Sequence, residues 1–327
     1  MTLPWAPGSA TGIGSLPGTD IVEALRIVFG ELPLPYLPEL PARGPGADMV
    51  GRTAGLLVEL PVDLYAGRWR LASRPGLDAR RIADLLERDL DALTAQADGY
   101  AGPLKVQAAG PWTLASSLQL PVGGAVLRDP GAVRELVASL AEGLALHVRE
   151  VGRRVPGASV VLQLDEPSLP SVLAGRVPTE SGFGTLRTVP ESVARSALQE
   201  LISAVGVPVV VHCCASPVPV ALLREAGAVA VALDLSVAPS LDPLGEAIDA
   251  GMGLFAGAVA ATGPPPPAVQ VAGLVRELWT KLGFPLAELS SRVVVTPACG
   301  QAGATPDDAR AALVACREAA ERLRELG

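Results

Sequence analysis

One histidine and two cysteines stand together at His212-Cys213-Cys214, in a chain that has only two histidines and four cysteines. They end the apolar run Val207-Pro208-Val209-Val210-Val211. Side chains alternate faces along an extended strand, so His212 and Cys214 point one way and Cys213 the other. An imidazole and a thiolate side by side suit a borderline-soft cation such as Zn2+. A further thiol, Cys299, follows another apolar run, Val293-Val294-Val295-Thr296-Pro297-Ala298. His212, Cys214 and Cys299 can therefore supply three ligands of a metal site. Taken alone, a His-Cys-Cys run is better read as two small buried residues and a hydrogen-bonded core histidine, and it is Cys299 and the further motifs of the chain that turn the reading to a metal site. Cys213 is expected in the core, and Cys316, inside the last helical pattern, is expected only to pack.

These residues have to be brought together by the elements that carry them. Short apolar runs alternate with longer helical patterns. Candidate strands are Gly12 to Ser15, Leu104 to Ala108, Val160 to Asp165, Val207 to Val211, Val229 to Leu233, Leu254 to Ala258 and Val293 to Val295. Candidate helices are Ala79 to Ala97, Ala132 to Arg153, Ser192 to Ala204, Pro219 to Ala226, Ala268 to Leu282 and Pro306 to Leu326. In the last of these, Asp307 and Asp308 complement the positive end of the helix dipole. Strands that are apolar on both faces and separated by helices predict a parallel sheet with helical crossovers. Ser15, Asp165, His212, Cys214, Asp234 and Cys299 all fall at or just past strand C-termini, which in a (β/α)8 barrel converge on one face. An open sheet would spread them along an edge. The expectation is one α/β domain over residues 1–327, a TIM barrel, with 32–74 a long insertion near its mouth.

Composition narrows the function classes. The 327 residues carry a net charge of −8 with no Lys/Arg run, which argues against nucleic acid or an anionic membrane as partner. The N-terminus has neither a basic nor an apolar leader region. Mean hydropathy is high at +0.38, yet charges or prolines break every apolar stretch well short of the roughly 20 residues a membrane helix needs. A cytoplasmic location is expected, with reduced thiols or metal ligands rather than disulfides.

Five pieces carry a family resemblance. Ile13-Gly14-Ser15-Leu16-Pro17, Gly110-Pro111-Trp112-Thr113-Leu114, Leu162-Gln163-Leu164-Asp165-Glu166-Pro167, Val211-His212-Cys213-Cys214 and Thr296-Pro297-Ala298-Cys299-Gly300 occur in order across nearly the whole chain. Together they resemble the C-terminal catalytic barrel of cobalamin-independent methionine synthase. The resemblance implies a Zn2+ site of His212, Cys214, Cys299 and an acidic residue on the next strand, which falls on Asp234 where the family usually has Glu. It also implies that Ser15, Glu39 and Asp165 hold the amino-acid part of homocysteine, Glu39 being anchored by Asp48-Met49-Val50.

The chemistry implied is alkyl transfer to a thiol. A free thiol has a pKa of about 8.5 and attacks as its thiolate, which coordination to Zn2+ generates at neutral pH. Three departures from the family bear on the donor. The family's full enzyme has an N-terminal barrel that helps hold the folate, and this chain has no room for one. Its Asp-Ile-His stretch falls on Ala256-Gly257-Ala258, and its long folate-side segment is matched only loosely by Gly67-Arg68-Trp69-Arg70. Releasing methyl from a folate nitrogen needs a positioned acid, so methyltetrahydrofolate is not the expected donor. A methylated corrinoid protein, which needs no such acid, is expected instead. The reading is a zinc-dependent methyltransferase acting on homocysteine or a similar small thiol. The alternatives are a thiol alkyltransferase with another acceptor or electrophile, and a non-catalytic zinc- or thiol-binding barrel. Uroporphyrinogen decarboxylase shares the architecture but needs no His-x-Cys, and ranks last.

Overall fold

The computed structural model describes residues 3–237 and 240–325. A hairpin, β1 (Val62–Tyr65) and β2 (Arg68–Leu71), precedes a curled six-stranded sheet. The sheet comprises β3 (Gly102–Ala109), β4 (Ala158–Asp165), β5 (Val209–Cys213), β6 (Ala230–Asp234), β7 (Gly253–Val259) and β8 (Val293–Pro297). They lie in that order, every neighbour parallel, with helices crossing between them. The six strands lie within two residues of their expected bounds at every end, whereas the seventh expected strand, Gly12 to Ser15, is irregular chain with an isolated bridge at Ser15. The expected crossover helices are also present, and the helix Leu241–Asp249 between β6 and β7 is an addition the sequence pattern did not give. The last helix runs Pro306–Arg324, and the expected Leu326 end lies outside the described residues.

The two sheet edges are linked through irregular chain. Val295 of β8 exchanges backbone bonds with Ser9 and Thr11, and Leu34 N donates to Ala10 O at 3.2 Å. Glu39 N donates to Gly14 O at 3.1 Å, Leu37 N to Lys105 O at 3.1 Å, and Lys105 N to Pro35 O at 2.9 Å. The bonds thus run from β8 through residues 9–16 and 34–39 to β3. Segment 34–39 makes no regular strand because Pro35 and Pro38 have no N–H to give to a ladder.

Alternation along the strands sorts the interior into layers. Val161, Val210, Ala230, Ala232, Phe255 and Val294 form an apolar inner cluster with Leu34 and Trp5, whose ring meets Phe255 edge-on at 5.0 Å. One or two positions further along the same faces come Gln163, Asp165 and His212, all buried. The opposite faces, such as Leu162, Leu164, Val209, Val211, Val231 and Leu233, join the large cluster under the helices. The polar groups therefore sit at the strand C-termini above an apolar floor.

Candidate metal centre

His212 lies one residue before the end of β5, Cys214 just after it, and Cys299 two residues beyond β8. Their ligand atoms all lie within 4.8 Å of one another. The sulfurs of Cys214 and Cys299 are 3.6 Å apart. Two thiolates on one tetrahedral zinc, each about 2.3 Å from it, stand about 3.8 Å apart, so the spacing fits that ion. Cys213 is fully buried on the other face, whereas Cys214 and Cys299 are half-buried. Cys316 is buried within its helix.

Asp165, the last residue of β4, stands behind the imidazole. Its Oδ1 accepts from His212 Nδ1 at 2.8 Å and from Gln163 Nε2 at 2.8 Å. A proton held on Nδ1 leaves Nε2 as the metal-facing nitrogen, the usual arrangement of a carboxylate behind a ligating histidine. Nε2 lies 3.4 Å from Ala298 O, on the Cys299 side. Burial disfavours the imidazolium, but the bond to Asp165 and the charges of Asp165 and Cys299 outweigh it and raise the His212 pKa. The sulfur pair titrates unequally. The hydrogen bond the two sulfurs share, helped by His212 and against burial, lowers Cys299 below an ordinary thiol and raises Cys214. Two thiols within hydrogen-bond reach of each other beside an imidazole suit a soft cation.

The other expected site residues are placed as follows. Ser15 pairs with Glu39 across the two irregular segments. A Cβ on Gly300 would fall 2.2 Å from Ser15 Oγ, so this glycine lets Ser15 lie against the Cys299 turn. Glu39 is buried, and its Oε1 has no hydrogen-bond partner among the described residues. Burial, with Asp165 adding to it, pushes Glu39 up to about 7, although Arg52, Gln107 and Lys105 pull the other way. Asp234 ends β6 in register with Gly257 but is not one of the three clustered donors, and its Oδ1 accepts from Ser236 N at 2.8 Å and Oγ at 2.7 Å. Glu166, next to Asp165, faces away. It accepts from Trp112 N and Thr113 N, at 2.9 and 2.8 Å, at the start of the helix Pro111–Ser117. The bond from Asp165 to His212 and the buried Lys105, Gln107 and Gln163 were missed in the sequence. Their signal was available, since polar residues at alternate positions of an otherwise apolar strand must face a common interior.

A family model described as "Cobalamin-independent synthase, Catalytic domain" matches residues 9–322. The chain belongs to that family. Among solved structures, a B12-independent methionine synthase from Shewanella sp. W3-18-1, in complex with selenomethionine, superposes with a TM-score of 0.63 at 14% identity. The match covers 99% of this chain and 98% of that one. A psychrophilic glycoside hydrolase family 10 endo-β-1,4-xylanase is a weaker likeness, with a TM-score of 0.39 at 12% identity over 88% of this chain and 86% of that one. No curated protein sequence matches. Membership of the family implies an enzyme of methionine-synthase type. Among the described residues no helix is long and apolar enough to cross a membrane.

Proposed function

We propose that this chain is a zinc-dependent methyltransferase that moves a methyl group to the thiol of homocysteine or a similar small thiol, from a donor other than methyltetrahydrofolate. The observation that carries the reading is the His212, Cys214 and Cys299 cluster with Asp165 bonded behind the histidine. A zinc ion held there would keep a substrate thiol deprotonated and nucleophilic at neutral pH. Asp234, on the face that carries His212, would be the fourth ligand after its carboxylate turns away from Ser236.

The chain's own residues then bind and orient. Asp165 holds the proton on Nδ1 of His212. The unpartnered oxygen of buried Glu39 suits an ammonium group, and Ser15, packed against Gly300 beside Cys299, lies where it can reach the same amino acid. The selenomethionine in the Shewanella enzyme is the selenium analogue of the product such a reaction would make.

The donor reading rests on the end of β7. A Cβ on Gly257 would meet Leu233 O at 2.4 Å and the Cα of Ala298 at 2.8 Å, and its neighbours Ala256 and Ala258 carry no acid. The other histidine, His147, is buried in the helix Pro130–Arg154, where burial and the charge of Arg52 push it down to about 4. A leaving group that needs no proton suits this wall, and a methylated corrinoid protein is the donor we favour. We read the segments 9–16 and 34–39 as the two remaining staves of a (β/α)8 barrel, the whole chain as one domain and its location as cytoplasmic; with 34–39 in the wall, only the later part of the expected 32–74 insertion is left for the mouth.

The test is to assay zinc-loaded protein with homocysteine and methylcobalamin. Methionine should form above the background of the His212→Ala variant. Equal rates in the two proteins would overturn the reading. Zinc-edge absorption should gain one Zn–S contact of about 2.3 Å on adding homocysteine.

A further inference from the structure

Lys105 is fully buried on β3, and neither the metal centre nor the thiol chemistry uses it. Its Nζ donates to Ile13 O at 2.8 Å, lies 3.4 Å from Gln107 Oε1, and stands 4.9 Å from the centroid of the Tyr36 ring. An ammonium taken out of water is expensive unless it meets acceptors, so its placement needs a reason. Gln107, two residues along the same face, donates from Nε2 to Leu37 O at 2.7 Å. Gln163, across on β4, donates from Nε2 to the same Ile13 carbonyl and to Asp165 Oδ1, each at 2.8 Å.

The anchored positions share a spacing. Ile13 precedes Ser15 by two residues, Leu37 precedes Glu39 by two, and Gln163 precedes Asp165 by two. Two residues along an extended chain return to the same face. Ser15 and Glu39 lie on segments that pair through isolated bridges and not through a regular ladder. These segments take a few backbone bonds, such as Glu39 N to Gly14 O and Leu37 N to Lys105 O, and three buried polar side chains add to them.

We propose that Lys105, with Gln107 and Gln163, forms a positioning layer beneath the substrate pocket. The layer sets the placement of Ser15, Glu39 and Asp165, and so selects thiols that carry an α-amino group. The inference rests on the methyl-transfer reading above and deepens it. Lys105 touches no reacting atom and acts through the backbone it holds.

The experiment compares zinc-loaded wild type, Lys105→Met and Gln107→Met by calorimetric titration with two thiols. One is homocysteine, and the other is mercaptobutyrate, which is homocysteine without its amino group. Each variant should lose about tenfold in affinity for homocysteine, the size expected when a buried charged or amide donor is removed from its acceptor. Affinity for mercaptobutyrate and zinc stoichiometry should not change. Gln107→Met keeps the Lys105 amine and its bond to Ile13 O, so it reports even if Lys105→Met folds poorly. Equal losses for both thiols, or no loss for either, would overturn the layer's role in selection. Wild-type protein that binds zinc but neither thiol would overturn the proposed function itself, and the layer with it.

Discussion

Asp165 offers a quantitative test of the metal centre. A single oxygen, Oδ1, accepts from both His212 Nδ1 and Gln163 Nε2, each at 2.8 Å, inside a buried site. Asn at this position can offer its carbonyl oxygen to both donors, so Asp165→Asn removes the charge and keeps the acceptor. Asp165→Ala removes both. A hydrogen bond to a charged group contributes about 1.5–3 kcal/mol and a neutral one about 0.5–1.5. The Asn variant should therefore lose roughly 1–1.5 kcal/mol of orientation at His212, a five- to tenfold weakening of zinc binding. The Ala variant should approach the roughly hundredfold limit seen when such outer partners are removed. Zinc affinity would be measured by competition with a chromogenic chelator and without any thiol, which separates the role at His212 from the role in holding substrate. The three proteins would be compared at one pH of about 8, above the ordinary histidine value of about 6.5, so that proton competition at the cysteines is common to all. Asp165→Ala binding zinc within about twofold of wild type would refute the argument, because an imidazole that ligates zinc depends on what holds its other nitrogen.

Three further outcomes follow from the same geometry. Cys213→Ala should keep full zinc stoichiometry at a cost of about 1 kcal/mol in thermal unfolding, whereas Cys214→Ala should lose the metal, as measured by elemental analysis. Gly257→Ala places a methyl 2.4 Å from Leu233 O and 2.8 Å from the Cα of Ala298, both backbone, and should lower stability by about 1–3 kcal/mol by calorimetry. His147 binds its proton less readily in the folded chain, at about 4, than at its ordinary value of 6.5. Its contribution to stability is then full above that ordinary value and is lost as pH falls toward the folded one, by up to about 3 kcal/mol. His147→Met should flatten the fall of melting temperature over that range, and an unchanged slope would contradict the assignment.

Parts of the fold were legible because their physics is local. An apolar run flanked by helices, such as Val207 to Val211 or Val293 to Val295, is a buried parallel strand almost wherever it occurs. The interior of the curled sheet was less so. Segment 34–39 hides a sheet position behind Pro35 and Pro38, and its pairing with Lys105 and Gly14 is decided by closure of the whole sheet. The three clustered donors were readable from the alternation around His212 and from Cys299. The partner of His212 was not. Asp165 was read as a substrate contact because a sequence shows which strand end carries a carboxylate, not which neighbour it turns to. The same limit applies to Asp234, whose cap on Ser236 is a side-chain rotation.

The layering explains why chemistry concentrates where it does. On β4 the inward positions run Val161, Gln163, Asp165, and on β5 they run Val210, His212. An apolar floor excludes water from below, and each polar group above it must then find a partner inside the protein. Gln163 meets the Ile13 carbonyl and Asp165, and Asp165 meets His212. His212 is left with one nitrogen toward two half-buried thiols, and Glu39 with one oxygen unmet. Those remaining valences lie above the apolar floor, beside the two half-buried thiols. A metal at the sulfurs and an ammonium at Glu39 would complete them together. A small molecule with both a thiol and an amino group is the species that links the two.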